Sequence, residues 1–430
     1  MSERQFAPLG QLLSSVKGGG TPERDVPEYW GGPIPWATVK DFRDGAHVLN
    51  GTQEHISEQG LKNSASKLIP PKTPIVCTRM AVGRVAMADF SVAINQDLKA
   101  LFPKTEVDPD YLLRAIESIR PEIEATAIGS TVKGISLDQL LSVEVFFPND
   151  EDEQRKIAEV LSTLDRAIEQ TEALIAKQQR IKTGLMQDLL TKGIDEHGNI
   201  RSEATHAFKD SPLGRIPVEW EAGSILNYAS RTRQPILTGP FGAQLGTKDF
   251  VEEGVSLLRI GNVQAGYIDQ SDLLFVTEQK AADLSRYRVQ AGDLLFARQG
   301  ATTGRNSLAG ASEDGYLINY HIIRVAVDHT KCSPVFLYAA FNSEMVQSQV
   351  EREKGKGTRE GVNTATLTAF VLPIPCINEQ ERIAEVISRH SQQVEKVTEL
   401  VIKLRRLKAG LMHDLLTGER RVTPLLLGDA

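Results

Sequence analysis

Residues 152–191 read DEQRKIAEVLSTLDRAIEQTEALIAKQQRIKTGLMQDLLT, and residues 378–417 read NEQERIAEVISRHSQQVEKVTELVIKLRRLKAGLMHDLLT. The two stretches align without a gap at a constant offset of 226, with 19 of 40 positions identical. A match of this kind within one chain is an internal duplication, and it constrains the architecture before any short motif does. Each copy is helical by period. In the first, apolar residues follow one seam through Ile157, Leu161, Leu164, Ile168, Ile175, Leu185 and Leu189. The second repeats the seam with Ile383, Ile387, Val394, Val397, Val401, Leu404, Leu411 and Leu415. No proline interrupts either copy, each begins shortly after one (Pro148, Pro375), and Gly193 and Gly418 stand where a helix end uses them. A helix of about 35 residues is roughly 50 Å long. An apolar seam of that length needs a cover, and two such helices in one chain cover each other most simply as a coiled coil. The long connection between them leaves their relative direction open.

The segments preceding the helices, about 1–150 and 196–375, repeat more weakly. Each opens on a Pro-Leu-Gly step (Pro8-Leu9-Gly10; Pro212-Leu213-Gly214) and has a glycine-rich loop (Gly18-Gly19-Gly20-Thr21-Pro22; Gly239-Pro240-Phe241-Gly242). A strand-like run then leads to arginine and a glycine turn, Ile75 to Arg79 with Gly83-Arg84, and Leu294 to Arg298 with Gly304-Arg305. An asparagine in a following strand (Asn95; Asn319) and a short helix after proline (Pro109; Pro334) complete the parallel. A small-residue loop with a basic side chain, 129–134 or 357–361, precedes a closing apolar strand. Short strands and scattered helices without a βαβ rhythm predict mixed α and β modules. The predicted order is module 1–150, helix 151–195, module 196–375, helix 376–420 and tail 421–430.

Composition narrows the function. The 41% apolar and 24% charged content belongs to an ordinary globular protein. No run is apolar enough for a membrane helix, and the start of the chain lacks the apolar core of a signal peptide, so a cytoplasmic location is expected. Cys77, Cys332 and Cys376 stand far apart, predicting reduced, buried thiols and no zinc site. Net charge is −7, and neither module is basic: residues 1–150 carry 15 basic against 19 acidic side chains, and 196–375 carry 18 against 20. Any DNA-binding charge must therefore be clustered on one face or supplied by a partner. No phosphate loop, methyltransferase tetrapeptide, HExxH or GxSxG is present. Glu278-Gln279-Lys280 with Asp272 upstream is too short a nuclease fragment to carry weight. No catalytic residue, metal or cofactor is expected.

Several motifs in order resemble the specificity subunits of type I restriction–modification enzymes. GGGTPERDVPEYWGGPIPWATVKDF (18–42) looks like the opening of a target recognition domain, and SPLGRIPVEWE (211–221) like the start of a second. The IAEVLS and GLMQDLLT segments resemble the family's central and C-terminal conserved helices. The resemblance implies an α+β fold: two mixed α/β recognition domains, similar to those of adenine-N6 methyltransferases, separated by two long helices paired as an antiparallel coiled coil. It also implies a non-catalytic subunit that reads a bipartite, asymmetric target in double-stranded DNA, one half per domain. The helices would set the gap and bind two methyltransferase subunits, with motor-nuclease subunits joining the full complex.

Base-edge contacts give specificity, and phosphate contacts give position. The candidates lie in the repeated loops. In the first module they are Lys17, Thr21, Arg24, Arg79, Arg84, Ser130, Thr131 and Lys133. In the second they are Gln244, Arg298, Gln299, Thr302, Thr303, Arg305, Lys356 and Arg359. Trp30, Trp36 and Trp220 read as local packing. Two alternatives stay open: a protein-interaction scaffold, and an alternate specificity subunit without independent sequence-selective DNA binding.

Overall fold

The computed structural model describes residues 5–127, 133–354 and 361–422. The chain forms two compact units, one made of residues 1–173 with 398–430 and the other of 174–397. Each long helix is therefore shared, one half to each unit.

In the first unit, strands Leu13–Gly18, Leu98–Pro103, Ile75–Cys77 and Val85–Ala86 form an antiparallel sheet in that spatial order. A second sheet runs Glu54–Ile56, Trp30–Ala37, Val92–Ile94 and Lys67–Ile69, with Trp30–Ala37 and Val92–Ile94 parallel. Ile75–Cys77 and Val92–Ile94 are buried at every residue, which is why they read as unbroken apolar runs rather than alternating ones. Asp108 caps helix Pro109–Ser118 by accepting from the Tyr111 amide, with proline at the first turn. That helix packs Leu112 and Ile116 in one cluster with Ile157, Leu161, Leu415, Leu416 and Val422 from the long helices and the segment after them.

The second unit repeats this plan. Its antiparallel sheet is ordered Ile236–Thr238, Ile322–Val325, Leu294–Ala297, Asn306–Leu308. Its mixed sheet is ordered Phe250–Val251, Leu274–Val276, Val255–Leu258, Leu317–Ile318, with the last pair parallel. Helix Pro334–Phe341, capped by Ser333, joins Leu189, Leu190, Ile383 and Ile387 in one core.

Three sequence expectations are corrected. The Pro-Leu-Gly steps do not correspond. Pro8 lies in Phe6–Pro8, which pairs with Glu144–Phe146, and the matching pair in the second unit is Glu221–Ser224 with Val371–Ile374. Pro212-Leu213-Gly214 instead turns a separate hairpin in which Phe208–Ser211 pairs with Gly214–Pro217. Asn95 and Asn319 sit in turns one residue past their strands, where each side-chain oxygen accepts the amide two residues on. Cys77 and Cys332 are buried, but Cys376 is exposed in the segment leading into the second long helix.

The long helices span Glu151–Thr191 and Ile377–Leu416, 41 and 40 residues. In the first, Glu151, Asp152 and Glu153 occupy the opening turn, where the helix dipole favours acids. All the seam residues named above are buried or half-buried. Contacts within each unit fix the direction as antiparallel. In the first unit Glu172 pairs with Arg405 and Asp165 with Lys408. In the second, the His390 ring lies 3.0 Å from the Gln178 carbonyl.

The shared EQ dipeptide that opens each repeat has a specific task. Glu153, nearly fully buried in the first turn of the first helix, pairs with Arg421 beyond the end of the second. Glu379, its counterpart, pairs with Arg201 beyond the end of the first helix and accepts from the Ile194 amide (3.0 Å) and Trp220 Nε1 (3.0 Å). Gln154 donates to the Glu106 and Pro148 carbonyls and accepts the Asp108 amide. Gln380 does the same with Lys331, Pro375 and Ser333. Each helix start is thus tied to the end segment of the other helix and to its own module.

One feature is not duplicated. In the first unit Glu117 accepts from Lys408 (3.0 Å), pairs with Arg114 (3.2 Å) and lies 3.0 Å from His47 Nε2, while Asp165 pairs with both Arg114 and Lys408. Burial pushes the Glu117 carboxyl up, but His47 and Lys408 outweigh it and hold the group at about 2. At the repeat offset, Asp165 becomes Ser391 and Lys408 becomes Lys182, so this ionic seat belongs to the first unit alone.

Candidate nucleic-acid interface

The candidate site of each unit is a tip where three turns meet. In the first unit these are the glycine loop after Leu13–Gly18, the turn Asn95–Asp97, and the hairpin between Ile75–Cys77 and Val85–Ala86. Gly20 donates to the Ile94 carbonyl, Thr78 to the Asp97 carbonyl, and Met80 to the Lys133 carbonyl. These bonds bring together Thr21, Arg79 and Lys133 from the sequence candidates. Thr21 Oγ1 donates to Gln96 Oε1 at 2.7 Å, and Arg79, 64% exposed, stands 3.8 Å from Asp97. Lys17 is exposed on the adjoining strand with its ammonium 4.9 Å from the Phe102 ring centroid. Met80 holds a left-handed backbone at φ 61° and is exposed, a strained position at the apex of the tip.

Two candidates are occupied otherwise. Arg24 is held by both oxygens of Glu54 and stacks over Trp30 (4.0 Å) and Trp36 (5.2 Å). Arg84 turns inward and donates to the Phe42 carbonyl at 2.9 Å. Sequence reasoning missed Gln96 and Lys99. The Lys99 ammonium donates to the Gln96 carbonyl at 2.9 Å, and burial lowers its pKa. The signal was present in the repeated Asn95 and Asn319, whose turns carry these groups.

Acidic side chains also gather away from the tip. A groove between Arg43–Asn50 and the first half of the long helix is lined by eight Asp and Glu against five Lys and Arg. At the tip itself Lys17, Arg79 and Lys133 are exposed with Lys99 beside them, and the Asp97 carboxylate stands 3.8 Å from Arg79.

The second unit builds its tip on the same backbone bonds. Ala297 donates to the Arg305 carbonyl as Cys77 does to that of Arg84, and Arg298 donates to the His321 carbonyl as Thr78 does to that of Asp97. Gln299 bridges to Gly361 as Arg79 bridges to Gly134. The register therefore matches Arg79 with Gln299, not with Arg298 as the sequence pattern implied. The loop that follows, 300–304, is one residue longer than 80–83, and in it Gly300 (φ 73°) takes the place of strained Met80.

Gln299 Oε1 lies 2.9 Å from His321 Nδ1. Burial, then the charge of Arg298, hold the His321 imidazole below the usual histidine value. Arg298 donates to the Tyr320 carbonyl at 3.3 Å, and Arg305 to Gln264 Oε1 at 2.9 Å. Gln244 accepts from the Tyr287 hydroxyl. Thr302 and Thr303 close their own turn by donating to the Gln299 and Gly300 carbonyls. Tyr320 and Phe241, both exposed and neither foreseen, stack at 5.8 Å beside His321. Ser130, Thr131, Lys356 and Arg359 lie outside the described residues. The nuclease-like fragment is dispersed: Lys280 pairs with Asp249, and Asp272 with Arg259.

Fold and tips together define a tandem-module protein on a paired-helix frame. The family model for the type I restriction modification DNA specificity domain matches residues 1–178 and 249–404, and the chain belongs to that family. It is 22% identical over 422 residues to the type I restriction enzyme MjaVIII specificity subunit of Methanocaldococcus jannaschii, covering 97% of this chain and 93% of that one. It is 30% identical over 229 residues to the MjaIX specificity subunit of the same organism, a match spanning 52% of each chain. The fold is shared with the crystal structure of a type I S subunit from M. genitalium, at a TM-score of 0.59 and 17% identity over 97% of both chains. Among the described residues no helix is long and apolar enough to cross a membrane.

Proposed function

We propose that this chain is the non-catalytic specificity subunit of a cytoplasmic type I restriction–modification enzyme, part of an adenine-N6 DNA methyltransferase and endonuclease complex. Residues 1–150 and 196–375 each read one half of a bipartite, asymmetric target in double-stranded DNA. The helices 151–195 and 376–420 set the gap. The observation that carries this reading is the repetition of one tip framework with different exposed side chains, as two readers of two different half-sites require. A 41-residue helix is about 60 Å long, the length of about 18 base pairs, which supports a spacer of that order.

Two methyltransferase subunits bind along the helices, and motor-nuclease subunits join them. Leu174 and Ile181 are exposed one heptad apart on the first helix, and Leu400 and Leu407 repeat them at the offset of 226 on the second. Duplicate stripes of this kind suit two copies of one partner. Because both modules are acidic overall, the subunit alone holds DNA weakly and depends on those partners for phosphate neutralisation.

Long-read methylation mapping of cells with and without the gene tests the proposal. A bipartite motif with a fixed gap that disappears on deletion is expected. An unchanged methylome in cells that express the complex refutes it.

A further inference from the structure

The two modules hold different side chains at matched positions of one scaffold. Gly19 and Gly239 run against the ends of the neighbouring strands so closely that an added Cβ would lie 1.8 Å from the Ile94 carbonyl oxygen and 2.2 Å from that of Asn319. Counting from these fixed points, Thr21 matches Phe241. The turns after Asn95 and Asn319 match Gln96 with Tyr320 and Asp97 with His321. The hairpin register matches Arg79 with Gln299.

The matched residues meet in the same pairs in both modules. Thr21 with Gln96 at 2.7 Å becomes Phe241 with Tyr320 at 5.8 Å between ring centroids. Arg79 with Asp97 at 3.8 Å becomes Gln299 with His321 at 2.9 Å. The backbone is held in each case by the glycine, the asparagine turn and the strand bonds. Thr21, Gln96, Arg79 and their counterparts are therefore not needed to shape the tips, whereas the Asp97 carboxylate also braces its own turn by accepting from Asn95 Nδ2 at 3.2 Å. Exposure also argues against a packing role for Phe241, 58% exposed, and Arg79, 64% exposed, while Gln299 and His321 are half-buried and Asp97 is buried.

We propose that these four matched positions determine specificity in the two modules, an inference that rests on reading each module as a half-site reader. The fork of Arg79 reads a guanine edge, with Gln96 on a neighbouring base, in the first half-site. Phe241 and Tyr320 pack on a thymine methyl, with the Gln299 amide on an adjacent adenine, in the second. The assignments follow from donor and acceptor geometry in the major groove, where guanine offers two acceptors, adenine a donor and an acceptor, and thymine its methyl group. Lys17, Lys99 and Lys133 surround the first tip as phosphate contacts.

The test is methylation mapping of cells carrying the complete enzyme with single-module variants. Arg79→Ala is expected to relax one guanine position of one half-site by roughly 5- to 150-fold, leaving the other half unchanged. Arg79→Lys keeps the charge and loses the planar fork, so it retains overall methylation with a weakened guanine preference. Phe241→Ala with Tyr320→Ala is expected to relax a thymine position in the other half only, and Phe241→Leu to retain part of that preference. Methylation that falls evenly at all sites with the motif intact overturns the proposal, as does full guanine preference in Arg79→Lys. A wild-type enzyme giving no bipartite motif overturns the half-site reading beneath it, a result distinct from either.

Discussion

Glu379→Gln removes one negative charge and little volume, and its effect can be worked from the structure. The carboxylate receives Arg201, Trp220 Nε1 and the Ile194 amide, and both it and Arg201 are less than a tenth exposed. A neutral amide leaves the Arg201 guanidinium buried without its counter-charge. Losing one partner of such a pair costs about 3–5 kcal/mol. The unit that contains it, residues 174–397, has a length at which each kcal/mol moves the melting temperature by about 2–4 °C. The expected fall is therefore about 10 °C in scanning calorimetry of the purified subunit. Replacing both partners with apolar residues, Arg201→Met with Glu379→Leu, should recover much of the loss, because the unpaired charge is gone. A fall of less than about 2 °C in Glu379→Gln would refute the view that the buried pair secures the helix start.

Acid stability should report the ionic seat of the first unit. The Glu117 pKa is depressed in the fold to about 2, so its contribution is complete above the ordinary carboxylate value and disappears as pH falls toward 2. Denaturant titrations should show Glu117→Gln less stable than wild type at pH 7, with the difference shrinking between about pH 4.5 and 2; a gap that is constant with pH counts against it. Inserting one heptad into both long helices adds about 10 Å, so methylation mapping should show a gap longer by about 3 base pairs with both half-sites unchanged. Altered half-sites would contradict the ruler. Leu174→Asp with Ile181→Asp should reduce methyltransferase recovery in co-purification from two copies toward one without lowering the melting temperature, and full recovery of both copies would remove that stripe from the interface.

Much of the frame was legible because a seam of period 3.5 must be covered whatever surrounds it. The positions from Ile157 to Leu189 and from Ile383 to Leu415 are determined by local pattern alone. Direction was not legible, since a connecting module of such length permits either, and only pairs such as Glu172 with Arg405 settle it. The tips were half legible. Arginine and glycine mark a turn, but Arg24 and Arg79 look alike until Glu54 and Trp30 are seen to occupy one and not the other. Tyr320 and His321 escaped notice because an aromatic pair beside a strand reads as core. Arg298 was misaligned because its residue type matches Arg79, whereas the hydrogen bonds place it one residue earlier, at the position of Thr78.

The partition of the chain between the units also bears on how the protein is made. Residues 174–397 are continuous, so that unit can close as soon as its stretch leaves the ribosome. The core of the other unit joins Ile157 and Leu161 to Leu415, Leu416 and Val422, partners more than 250 residues apart in synthesis. Until the last of these emerges, the part of the Ile157 and Leu161 seam that meets them stays uncovered, open to chaperones and to misassembly. A product terminated before residue 398 would hold one finished unit and one whose long-helix seam lies open, and quality control would meet that exposed seam.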